Sequence, residues 1–129
     1  MKILIIDFNE DYFPIYKRKL GGTSNLGLFF AKNYLEAIDV ISSNSIDCII
    51  LNHLFYNTYG IYDRLRSAGF SGKIIISVAG KEKHVKRNKY NGIVGVIDKS
   101  LNGEDFKNCL FSLVDDTNKS NVQEVIGAI

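Results

Sequence analysis

Four short apolar runs in this chain each stop at a polar residue: Ile3–Ile6 at Asp7, Cys48–Leu51 at Asn52, Ile74–Ile76 at Ser77, and Ile93–Ile97 just before Asp98 and Lys99. A carboxylate, an amide, a hydroxyl and an ammonium group are enough to build a closed polar cluster. Lys99 could pair with Asp7, and Asn52 could hydrogen-bond to either. The turn after the first run, Asp7-Phe8-Asn9-Glu10-Asp11, is acidic. It would repel a nucleotide or flavin phosphate, whose binding loops offer glycines and a helix N-terminus instead. His53 follows Asn52 but stands alone, and is read as a packing or surface residue. His84 has no partner at metal-ligand spacing, so no zinc site is expected. Asp98 neighbours Lys99, and strand alternation points it to the other face as a structural or surface acid.

The elements that would position these groups follow from the pattern. The four runs are rich in β-branched residues and are continuous rather than alternating, as in strands buried on both faces of a parallel sheet. Leu26–Phe30 is a weaker candidate for a fifth strand nearer an edge. Helical spacing fills the intervals: Phe13, Tyr16 and Leu20; Leu35, Ile38 and Ile41; Ile61, Leu65 and Ala68; Phe106, Leu110, Leu113 and Val114. Pro14 must sit close to a helix start, near Glu10 or Asp11. Asn102 with Asp105 three residues on reads as the N-cap of the last helix. Residues 81–90 (KEKHVKRNKY) make a poor helix, with only Val85 and Tyr90 apolar. Strands alternating with helices give an α/β fold, a doubly wound five-stranded parallel sheet with helices on both faces. In such sheets function gathers at the carboxyl ends of the strands, where the polar residues lie.

Bulk properties narrow the function classes. At 129 residues the chain fits one domain, with 46% hydrophobic and 23% charged residues and a net charge of +2. That charge makes no global case for nucleic acid or a membrane. The run ILII is too short for a signal-peptide core, and no apolar stretch approaches a membrane span. Cys48 and Cys109 lie far apart in apolar settings, read as buried free thiols in a reducing, cytoplasmic compartment. Domain boundaries are expected at 1–115, with 116–129 as a tail or the start of a linker.

KILIIDFNE, IDCIILNHL, IIIS and GIVGVIDKS, in this order and with helical segments NYLEAIDVI and NGEDFKNCLFSLV between and after them, resemble the receiver domains of two-component response regulators. The resemblance covers residues 2 to about 115. It implies a flavodoxin-like sandwich with strand order 2-1-3-4-5. It places Asn52 at the phospho-acceptor position, Asp7 and Phe8 at the acidic pair, Ser77 at the switch hydroxyl and Lys99 at the family's lysine. Ser77 rather than Val78 is chosen because 99 − 77 = 22 suits the family's separation of hydroxyl and lysine. Val96 stands where the family's mobile aromatic would be. The site therefore departs from the family pattern at Phe8, Asn52 and Val96. An amide is not a phosphoryl acceptor, whereas carboxylates form acyl phosphates. The resemblance thus implies a degenerate receiver, not an enzyme, with weak or absent Mg²⁺ binding and no cofactor. It would act through protein contacts that do not depend on phosphorylation. A partner face is expected at Lys83, Lys86, Arg87 and Val96, suited to an acidic protein or to a second copy. Direct nucleic-acid binding is disfavoured, since only Tyr90 could serve as an aromatic platform there. Two rival readings remain: a conventional receiver carrying an Asp-to-Asn change at position 52, and a small α/β enzyme or ligand-binding domain using the same cleft.

Overall fold

The structure, a computed structural model, describes residues 1–23, 25–53, 58–79 and 92–115. In chain order the described elements are β1 (Lys2–Ile6), α1 (Tyr12–Leu20), β2 (Gly27–Ala31), α2 (Tyr34–Ser43), β3 (Cys48–Asn52), α3 (Thr58–Ser67), β4 (Lys73–Val78), β5 (Ile93–Asp98) and α4 (Gly103–Val114). The five strands form one sheet, ordered β2-β1-β3-β4-β5 and parallel throughout. This is the expected doubly wound architecture. The basic stretch of residues 81–90, with Lys83, Lys86, Arg87 and His84, lies outside the described residues, as does the tail of residues 116–129.

Strand alternation divides the core in two. Ile3, Ile5, Cys48, Ile50, Ile75 and Ile97 face α1 and α4, where they pack on Tyr16, Leu20, Phe106 and Leu110. Leu4, Ile6, Ile49, Leu51, Ile74 and Ile76 face α2 and α3, where they pack on Ala37, Ile61, Tyr62 and Leu65. Because both faces are covered, β1, β3 and β4 read as unbroken apolar runs. β2 is an edge strand and mostly half-buried, which is why its signal in the sequence was the weakest.

Helix starts follow local chemistry. The Asn102 side chain accepts the Asp105 N–H at 2.9 Å, the N-cap expected for α4. Asn33 caps α2 in the same way, accepting from Glu36 N at 2.9 Å. Asp11 precedes α1, which places Pro14 in its first turn. Two expected helix faces are corrected. Leu35 is 75% exposed, and α2 turns Tyr34, Ala37, Ile38 and Ile41 inward instead. Ala68 is also exposed, since it lies just past the end of α3.

Candidate functional site

The alternation that sorts the core also builds the site. Positions 3, 5 and 7, positions 48, 50 and 52, positions 75 and 77, and positions 97 and 99 continue the same side of their strands. Asp7, Asn52, Ser77 and Lys99 therefore gather at the carboxyl edge of the sheet on the α1 side. Asn52 and Ser77 are direct neighbours in the β3–β4 ladder. Val78 instead faces the α2–α3 core.

Lys99 is the hub. Its ammonium group donates to Asp7 Oδ2 at 3.0 Å and to Asn52 Oδ1 at 2.8 Å. The two ionised side chains are 7% and 1% exposed. The ring of Tyr12, at the start of α1, lies against the same ammonium at 3.6 Å from its centroid. A cation over an aromatic face is stabilised further when it is desolvated. The second carboxylate oxygen, Asp7 Oδ1, accepts the Asn9 N–H at 3.0 Å and shapes the turn into α1. Both oxygens of the carboxylate are thus engaged within the protein. The lysine backbone is also tied down: the Lys99 carbonyl accepts from Lys19 Nζ, whose ammonium lies over the Phe106 ring. Burial pulls the Lys19 ammonium below its ordinary range, and Asp98 opposes that shift.

Beneath this cluster lie two buried hydroxyls, those of Ser77 and Tyr16. Neither reaches hydrogen-bond geometry with a protein partner. Burial pushes the Tyr16 phenol well up; the nearby Ser77 hydroxyl opposes this, and the Asp7 charge adds to it. Tyr16 also packs edge-on against Phe106, with ring centroids 5.7 Å apart. Deprotonation of Tyr16 is therefore resisted by the same charge that holds Lys99.

The remaining residues singled out in the sequence fall elsewhere. Phe8 is 46% exposed, in the turn that follows β1. Val96 is half-buried and packs on the α2–α3 core, away from Ser77. His53 is half-buried, its Nδ1 sealed without a partner, while its backbone N–H donates to the Ser77 carbonyl at 2.7 Å. Asp98 caps the turn after β5, accepting from the Ser100 N–H at 2.9 Å and hydroxyl at 2.6 Å. Tyr12 and Tyr16 are functional neighbours that the sequence reading missed. The available signal was their spacing: they stand four residues apart on the helix that follows the acidic turn, on the side that strand alternation assigns to Asp7.

No family model and no curated protein matches the chain. Solved structures do. The signal receiver domain of an HD domain-containing protein from Pseudomonas fluorescens Pf-5 superposes with a TM-score of 0.72 at 18% identity, over 88% of this chain and 94% of that one. A two-component response regulator from Clostridium difficile gives 0.71 at 23% identity, over 92% and 98%. The N-terminal domain of a response regulator/sensory box/GGDEF 3-domain protein from Carboxydothermus hydrogenoformans gives 0.73 at 14% identity, over 95% and 99%. The resemblance read from the motifs is thus matched by the backbone, and the chain has the receiver fold.

Proposed function

We propose that this chain is a receiver-type signalling module of a two-component-type regulator that has lost phosphoryl transfer and acts through protein–protein contacts. The observation that carries the reading is the Lys99 ammonium bridging Asp7 Oδ2 and Asn52 Oδ1. In a phosphorylatable site that lysine would answer a phosphoryl group on residue 52. Here residue 52 is an amide, which cannot form an acyl phosphate, and its oxygen already accepts a hydrogen bond from the Lys99 ammonium.

The residues do not suit Mg²⁺ either. Asp7 is the one carboxylate of the cluster, and its two oxygens are taken by Lys99 and by the Asn9 N–H. Phe8 puts an apolar ring where a second acid would stand. A hard cation would have to displace the Lys99 ammonium and bring its own charge against it. Without the metal and the nucleophile, the electrostatic basis of phosphoryl transfer is gone. The module would therefore hold one state and present a fixed surface. We propose Lys83, Lys86 and Arg87 of the basic stretch, together with Val96, as the partner face, with an acidic protein or a second copy as the occupant.

The test is a backbone amide NMR titration with Mg²⁺ at millimolar concentration, followed by beryllofluoride. The reading requires the amides of Asp7, Asn52, Ser77 and Lys99 to stay unmoved. A saturable shift that spreads from Asn52 into β5 and α4 would overturn it and return the domain to the responsive receivers.

A further inference from the structure

Natural proteins blunt the outer strands of a sheet with a charge, a proline or a bulge, because an open row of backbone N–H and C=O groups invites another strand. The edge strand β2 (GLFFA) carries neither charge nor proline, and it pairs with β1 in unbroken register from Gly27 to Ala31. Leu28, Phe29 and Phe30 are all half-buried, whereas the other edge strand, β5, buries Val94, Gly95 and Ile97. Phe30 packs on Phe13 of α1, with ring centroids 4.8 Å apart, which fixes its ring against the helix.

The hydrogen bonds of β2 show which groups are left over. The Gly27 N–H donates to the Met1 carbonyl at 2.9 Å, and the Ala31 carbonyl accepts the Asp7 N–H at 3.0 Å. Odd positions of β2 therefore turn their backbone groups toward β1, and even positions turn theirs outward. The next outward N–H past the strand, that of Lys32, is taken by Glu36 Oε1 at 3.1 Å. Within β2 the open groups are those of Leu28 and Phe30, each with an N–H and a carbonyl that no described residue meets. They stand symmetrically about Phe29, so the edge is complementary to itself.

We propose that the β2 edge is an interface between two copies of this chain, paired antiparallel about a two-fold axis at Phe29. Leu28 of one copy faces Phe30 of the other, and each such pair exchanges both of its N–H···O=C bonds. Centring the strand pair on Leu28 or Phe30 would satisfy fewer of the open groups of β2. Phe29 meets its own copy at the axis, as the closer pair without hydrogen bonds. Leu28 and Phe30 lie on the α1 side and Phe29 on the α2 side, so each cross-strand pair is apolar and no like charges are opposed. An isologous contact requires this kind of self-complementarity. The edge lies at the far end of the sheet from β5, so the contact does not involve Val96 or Lys99 and is independent of the signalling reading. A single strand pair is a small interface of the weak, reversible class.

Concentration is the test, applied to the unmodified chain. Sedimentation velocity from micromolar to millimolar protein should show monomer passing to dimer. Amide hydrogen exchange reads the register. Exchange at Leu28 and Phe30 should slow by about threefold for each tenfold rise in concentration once dimer dominates, since the monomer fraction falls as the square root. Phe29 and Ala31, already bonded to β1, should not respond. Leu28→Pro removes one outward N–H and no bond to β1, so the sheet should still form while the dimer is lost. If that variant fails to fold, exchange in the unmodified chain decides. A chain that stays monomeric at millimolar concentration overturns the proposal. So does a dimer in which Leu28 and Phe30 exchange freely, which would put the second copy on another face.

Discussion

Removal of Lys99 should cost this protein far more than removal of a surface lysine. Its ammonium compensates a carboxylate that is 1% exposed, and is itself 7% exposed. In Lys99→Met the methylene stem is kept and the charge is lost, so Asp7 remains buried with only the Asn9 N–H to hold it. Leaving one partner of a buried pair uncompensated costs about 3–5 kcal/mol. The lost contact with the Tyr12 ring contributes in the same direction by about 1–2 kcal/mol. Against a total stability of about 5–15 kcal/mol for a domain of this kind, that is a large fraction. Asp7→Asn in the same background removes the stranded charge, so the double variant should recover about 2 kcal/mol or more relative to Lys99→Met alone. Urea unfolding followed by far-ultraviolet circular dichroism on the four proteins of the cycle gives the coupling directly. If Lys99→Met costs less than about 1 kcal/mol, or if the two changes simply add, the pair behaves like a hydrated surface ion pair. The argument that Lys99 locks the site then fails.

Two further outcomes follow from the packing and the buried acids. A Cβ on Gly95 would meet Leu113 Cδ2 at 2.4 Å, so Gly95→Ala should make the half-buried Leu113 side chain leave its rotamer and destabilise by about 1 kcal/mol, read as a lowered Tm. Stability should also fall at alkaline pH. Burial pushes the Cys48 thiol up to about 12 from 9.0 and raises the Tyr16 phenol above its ordinary 10.0. Each group keeps its proton longer when folded than when unfolded. The unfolded chain therefore binds fewer protons above these ordinary values, and stability present below about pH 9 is lost as pH rises, by up to about 1.4 kcal/mol per pH unit for each group. In Tyr16→Phe the part of this slope above pH 10 should shrink; an unchanged slope would mean that the phenol is not sealed.

The sequence by itself determined the strands and what stands at their ends. Continuous β-branched runs specify strands buried on both faces whatever surrounds them, and period-two alternation then fixes on which side Asp7, Asn52, Ser77 and Lys99 emerge. The cap at Asn102 is local chemistry and was equally legible. Tertiary structure alone decided how the helices are rotated. The triplet Leu35, Ile38 and Ile41 and the set Tyr34, Ala37, Ile38 and Ile41 are both acceptable helical stripes. Packing on β1 and β2 selected the second and left Leu35 in solvent. The same holds for Tyr12 and Tyr16: nothing local distinguishes a tyrosine that lies on a lysine ammonium from one that faces water. Only the placement of α1 against the carboxyl edge of the sheet put one ring on Lys99 and the other hydroxyl beside Ser77. A hollow at the amino edge of the sheet is likewise lined by residues as far apart in the chain as Met1, Cys48, Asp63, Lys73, Val94 and Val114. No period in the chain relates them, and only the closed sheet brings them together.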